Sequence, residues 1–139
     1  MGLLKMVAQS FAINGIGYDY ISRPCGEVLS TEWTISQDRD IEVTVSCNVD
    51  TNVIFIEVDD VIGTEIDIRD VTVYKVINLI NIESKSGKVF ECDGKLHVAC
   101  VLKKYDRYSS EAFYNEVAKK VKGVALLSKE VYKKVNSCF

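Results

Sequence analysis

The sequence predicts an α+β fold. It is read as one domain over residues 1–139, with three helices and an antiparallel sheet of about five strands in the order α-βββ-α-ββ-α. Three observations predict it. Ile41, Val43, Val45, Cys47 and Val49 alternate with Glu42, Thr44, Ser46 and Asn48, the period-2 pattern of a half-buried strand. Asp93-Gly94 sits between two β-rich runs and suits a type I′ hairpin turn, which needs positive φ at both central residues. From Ser109 to about Asn136, Phe113, Val117, Val121, Val124, Val131 and Val135 recur at helical spacing.

The remaining elements follow in chain order. Leu4, Val7, Ala8 and Phe11 give residues 3–13 a helical stripe, ended by Asn14, Gly15 and Gly17, residue types that accept a left-handed C-cap. A loop-rich stretch with Tyr18, Tyr20 and a turn at Pro24–Gly26 comes next. Val28 to Ile35, with Trp33, reads as a strand. After the 41–49 strand, Asp50, Thr51 and Asn52 are turn residues, and Val53 to Val58 is apolar on both faces up to Glu57, as in a central strand. Residues 66–84 read as a helix because strict alternation fails there, and Asp67 and Asp70 suit the positive end of a helix dipole. Lys88–Cys92 and Lys95–Lys104 flank the Asp93-Gly94 turn. Ser109 or Ser110 caps the last helix, and Gly123 is the place where it would bend or break.

Composition narrows the function. The 139 residues are 47% hydrophobic and 27% charged, the balance of an ordinary globular domain rather than a disordered chain. No run nears the roughly 20 apolar residues of a membrane helix, and the N-terminal stretch is a poor signal peptide, so a soluble cytoplasmic protein is expected. Five cysteines without a secretory signal point to free thiols, and one histidine with no Cys-x-x-Cys pair argues against zinc. The net charge of −3 divides unevenly: residues 1–84 hold 5 cations and 14 anions, residues 85–139 hold 12 and 6. The acidic part disfavours nucleic acid as a partner, although Lys119, Lys120, Lys122, Lys129, Lys133 and Lys134 on the last helix keep it as an alternative.

Residues that carry chemistry are scarce. With a two-residue turn at Asp93-Gly94, Cys92 faces Lys95, Glu91 faces Leu96 and Phe90 faces His97. His97 then shares a face with Cys92, Ala99 and Val101, which makes Cys92 and His97 diagonal neighbours and the one conceivable thiol-dependent catalytic pair. The same register places Cys92 and Cys100 on opposite faces, too far around for a disulfide. The acidic stretch Asp59, Asp60, Glu65, Asp67 and Asp70 lacks calcium-loop spacing. Gly15-Ile16-Gly17 lacks a preceding strand and a third glycine, and neither a Walker loop nor a nucleophile elbow is present. No catalytic, cofactor or metal site is expected. Asn78 and Asn81 lie on one helix face near its end, where their amides can hold the loop that leads to Gly87.

Ile77-Asn78-Leu79-Ile80-Asn81, Gly87-Lys88-Val89-Phe90 and Asp93-Gly94-Lys95-Leu96 together resemble the YbjN-type, type III secretion chaperone-like domains. Those domains have an Asn-x-x-Asn helix end, a short Gly loop, a hairpin and a closing helix, and their element order is similar along nearly the whole chain. The resemblance implies a non-enzymatic protein, chaperone-like or regulatory, that forms a homodimer and binds an extended stretch of a partner polypeptide. It brings no catalytic residues. The apolar stripe Leu4, Val7 and Phe11 is the surface this reading offers to the sheet or to a partner.

Overall fold

The computed structural model describes residues 2–24, 26–64 and 70–139. In chain order the elements are α1 (Leu3–Ile13), β1 (Asp19–Arg23), β2 (Gly26–Ser36), β3 (Arg39–Asn48), β4 (Val53–Val58), α2 (Val71–Glu83), β5 (Lys88–Cys92), β6 (Lys95–Lys103) and α3 (Ser110–Asn136). The six strands form one antiparallel sheet in the order β1-β2-β3-β4-β6-β5. The strand that the sequence reading missed is β1. Its five residues contain one interior apolar residue, Ile21, and its extended conformation comes from pairing with Gly26–Ser30 of β2 rather than from its own pattern.

The hairpins follow their turn chemistry. Asp93 and Gly94 take φ of 53° and 79°, and Phe90↔His97, Glu91↔Leu96 and Cys92↔Lys95 pair in the expected register. Asn52 takes φ 55° in the β3–β4 turn, while the Asn48 carboxamide accepts from the Asp50 and Thr51 amides. The helix caps are side chains: Asp70 accepts from Thr72 and Val73 at the start of α2, and Ser109 accepts from Ala112 at the start of α3. α2 is shorter than the 66–84 reading, and Asp67 lies outside the described residues.

α3 runs unbroken through Gly123. The reason is tertiary. A Cβ on Gly123 would sit 3.0 Å from the Ser86 side chain, so glycine here lets the α2–β5 turn approach the helix instead of bending it. Gly87 answers a similar need, since a Cβ there would lie 2.7 Å from the Ala99 carbonyl oxygen.

All three helices lie on one side of the sheet. α3 packs over β2, β3, β4 and β6, α1 packs on α3, β2 and β3, and α2 packs on α3 and β5. Between the layers lie Val7 and Phe11 of α1, Leu29, Val43, Val45, Ile54, Ile56, Leu96 and Val98 of the sheet, and Phe113, Val117, Val121, Val124 and Val131 of α3. The buried Ser10 hydroxyl ties the helices together by donating to the Tyr114 carbonyl.

The other sheet face is open. β4 is central, as expected, but only one of its faces is covered: Phe55 is 38% exposed, and Val101 beside it 60%. At the far side Arg23 and Pro24 lie over this face. Arg23 is opposite Gly26 in the ladder yet donates to Glu42 Oε1 at 2.9 Å, and Pro24 lines a hollow with Val28, Thr44, Ser46 and Glu57.

The layering predicts unequal costs for two phenylalanines. Phe113→Ala should lower the unfolding free energy by about 3–5 kcal/mol. Phe55→Ala, on the open face, should cost less than half as much. Urea unfolding of both variants checks this, and equal costs would contradict a sheet covered on one side.

Candidate functional site

A sheet with two ends has two edge strands, each presenting backbone N–H and C=O groups without a ladder partner. The two edges here are treated differently. At β5, the Asn81 side chain of α2 pairs with the strand as a second strand would. Its Nδ2 donates to the Val89 carbonyl at 2.8 Å, and its Oδ1 accepts from the Val89 amide at 2.8 Å. Lys88 Nζ reaches back to the Asn81 carbonyl at 2.7 Å, closing the end of the helix. The sequence reading has the Asn78 and Asn81 amides holding the loop that leads to Gly87; the Asn81 side chain instead pairs with the strand beyond it, at Val89. Asn78 does not share this pairing, being exposed on α2.

At the opposite side, β1 covers only part of β2. The ladder ends at Asp19↔Ser30, and the six residues Thr31–Ser36 run on beside β3 alone, with a register shift between Thr34 and Ser36 that leaves Ile35 without a cross-strand partner. Alternate backbone groups of this overhang point away from β3. Beside it lies a cleft of about 900 Å³, walled by the Asn14–Asp19 loop, Ile21, Thr31, Glu32, Trp33, Glu42 and Lys122. A hollow of about 270 Å³ shares Trp33 and Lys122 and extends the groove along Thr34, Ile35, Leu126 and Lys129.

The walls differ in charge. On the helix side, α3 exposes Lys119, Lys122, Leu126, Lys129 and Lys133 in one stripe, and among the described residues no carboxylate pairs with these four lysines. On the other side, Glu32 and Glu42 are directly opposite in the β2–β3 ladder, with Asp40 across from Thr34. Arg23 pairs with Glu42. Trp33 lies on the helix side, opposite Ile41, and its buried Nε1 has no acceptor among the described residues.

The other residues singled out by the sequence do not converge. His97 stacks on Phe90 with centroids 5.2 Å apart and planes 10° from parallel, and its Nδ1 is 3.9 Å from Asp59 Oδ1. The Cys92 thiol lies 3.9 Å from Asp93 Oδ2, so the contacts of both residues go elsewhere than to each other. Cys47, Cys92, Cys100 and Cys138 are free thiols; Cys25 is outside the described residues. Burial pushes the Cys47 thiol up to about 11 and also raises Cys100, the reverse of an activated nucleophile. Among the described residues no group of three or more His, Cys, Asp or Glu could hold a metal ion, and no helix is long and apolar enough to cross a membrane. Val7 and Phe11 are fully buried and Leu4 half-buried, so the α1 stripe is taken up by the chain's own core.

YbjN from E. coli, a proposed transcription regulator, superposes with a TM-score of 0.60 over 94% of this chain and 90% of its own, at 15% identity. The chain has the YbjN fold. The ExsC–ExsE complex aligns at a TM-score of 0.49 and 11% identity over 94% of this chain and 96% of the matched one. No protein-family model and no curated protein sequence matches the chain. At these identities the likeness is one of fold, and it agrees with the resemblance carried by Asn78, Asn81, Gly87 and Asp93-Gly94.

The Asn81 contact yields a specific expectation. Asn81→Ala leaves both polar groups of Val89 without their partner and should cost about 1–3 kcal/mol. Hydrogen exchange at the Val89 amide should rise more than at core amides of β4. Unchanged exchange there would mean that the amide pairing does not protect the edge.

Proposed function

We propose that this protein is a non-enzymatic protein-binding module, chaperone-like or regulatory, that takes an extended stretch of a partner polypeptide as an added strand on the free edge of β2. One observation carries the reading: the β5 edge of the sheet is occupied at Val89 by a side-chain amide, while on the other side β2 runs six residues past β1 into a groove. Strand addition uses the backbone groups that such an edge leaves over and takes its selectivity from the alternate side chains. The fold shared with YbjN and the absence of a converged nucleophile–base pair among the described residues support binding over catalysis.

The test is amide hydrogen exchange with a neutral, capped Thr/Val peptide of strand-forming composition. Edge-facing amides within Thr31–Ser36 should gain protection, and the Val89 amide should not. Protection of β5 instead, or of neither segment by this peptide or by a strand of charged residues, would overturn the reading.

A second observation bears on self-association. α2 exposes Val71, Tyr74, Leu79 and Ile82, with Ile82 79% exposed. Its exposed charges Lys75 and Glu83 lie four residues to either side of Leu79. Two copies crossing antiparallel at Leu79 would each set Lys75 against Glu83 of the other, the self-complementary arrangement of a two-fold dimer. Sedimentation should give a dimer mass, and Leu79→Glu should shift it to monomer with an unchanged circular dichroism spectrum. A monomeric wild-type protein, or a dimer indifferent to Leu79→Glu, would refute this interface.

A further inference from the structure

The free edge of β2 lies between two walls of opposite charge, and an added strand has to satisfy both. Side chains of an extended segment point alternately to the two faces of the sheet it joins. Positions directed to the helix side would meet Lys122 and Lys129 with Trp33 and Leu126 between them. Positions directed to the opposite side would meet Glu32, Glu42 and Asp19. The overhang Thr31–Ser36 is about 20 Å long, enough for roughly three guest side chains on each face.

Both walls are left electrostatically incomplete by the chain itself. Like charges directly opposite in a ladder repel, and Glu32 and Glu42 are such a pair. Arg23 compensates Glu42 alone, and among the described residues no cation pairs with Glu32. Across the groove, Lys122 and Lys129 stand about two helical turns apart with no carboxylate between them; the carboxylates α3 does carry nearby are engaged with other lysines, Glu116 with Lys120 and Glu130 with Lys134. The Trp33 Nε1–H adds, on the same side as the lysines, a buried donor that has no acceptor among the described residues.

We infer that the partner segment is a strand of alternating charge, with carboxylates or amides at the positions that face α3 and lysine or arginine at the intervening positions that face Glu32 and Glu42. This rests on the strand-addition reading of the same edge and specifies the class of segment that edge selects. The backbone supplies pairing that any extended chain can make; the two walls supply discrimination, because a segment with its charges in blocks places a like charge against each wall. Apolar side chains fit between the charged ones on the helix side, where Trp33 and Leu126 line the groove.

Trp33 is the only tryptophan in the chain, so its fluorescence reports on the groove. Three capped synthetic peptides of about eight residues, enough to span the overhang, suffice: one alternating Lys and Glu, one of the same composition in two-residue blocks, and the neutral Thr/Val strand. The alternating peptide should bind about tenfold or more tightly than the blocked one, a difference that narrows as salt is raised. Glu32→Lys and Lys122→Glu, both at exposed positions, should each remove most of that difference while leaving the circular dichroism spectrum unchanged. If the neutral peptide binds and the alternating and blocked peptides bind equally, the charge register is wrong and strand addition stands. Binding of the alternating peptide that ignores both substitutions would also overturn the register, since the charges recognised would lie elsewhere. If none of the three binds, strand addition on this edge falls with it.

Discussion

The apolar stripe of α3 is the constraint from which the rest of this structure follows. Phe113, Val117, Val121, Val124, Val131 and Val135 are all fully buried, and the 27-residue helix, about 40 Å long, reaches across β2, β3, β4 and β6. A single helix of that length, flanked by α1 and α2, covers one face of a sheet and no more. The second face is therefore wet, with Phe55, Phe90 and Val101 partly exposed on it, and both edges remain to be dealt with. The close approaches at Gly123 and Gly87 belong to the same constraint, because they let the α2–β5 turn fit under the helix.

An open sheet has to manage its edges, and the two solutions here are physically distinct. At β5 a carboxamide presents one donor and one acceptor in the spacing of a peptide group, so Asn81 stands in for a neighbouring strand at Val89. Aspartate could not do this, having no donor. At β2 the neighbour β1 is shorter than the strand it covers, and the uncovered part lies in a groove rather than on a flat rim. Natural edges are commonly blunted against unwanted pairing. A groove that combines an overhanging strand, a tryptophan and two walls of opposite charge is instead selective about what pairs with it.

The charge asymmetry of the chain acquires meaning only in this setting. The acidic first part contributes the β2–β3 face and the basic last part contributes α3, so the division by sequence becomes a division between the two sides of one groove. The cysteines take no part in it. Cys47 and Cys100 are partly buried, which raises their thiol pKa and disfavours the thiolate, and Cys92 sits exposed at a hairpin end.

The sequence by itself determined the fold class and most elements, wherever the controlling physics is local. Asp93-Gly94 dictated the β5–β6 register residue by residue, Ser109 marked the start of α3, and the alternation from Ile41 to Cys47 marked β3. For Asn81, the spacing from Asn78 and the closeness to Gly87 pointed to the loop, whereas its pairing with Val89 was decided by tertiary structure. Tertiary structure alone decided the strand state of Asp19–Arg23, whose conformation comes from a partner strand, and the burial of Val7 and Phe11, which a helical stripe offers equally to a sheet or to another protein. It alone decided the groove as well. Trp33 and Lys122 are 89 positions apart in the chain, and Glu32 meets Glu42 only through a register set by a turn with no strong signal. A site assembled from the end of one strand, a loop and a distant helix has no periodicity to betray it, because what defines it is where β1 begins.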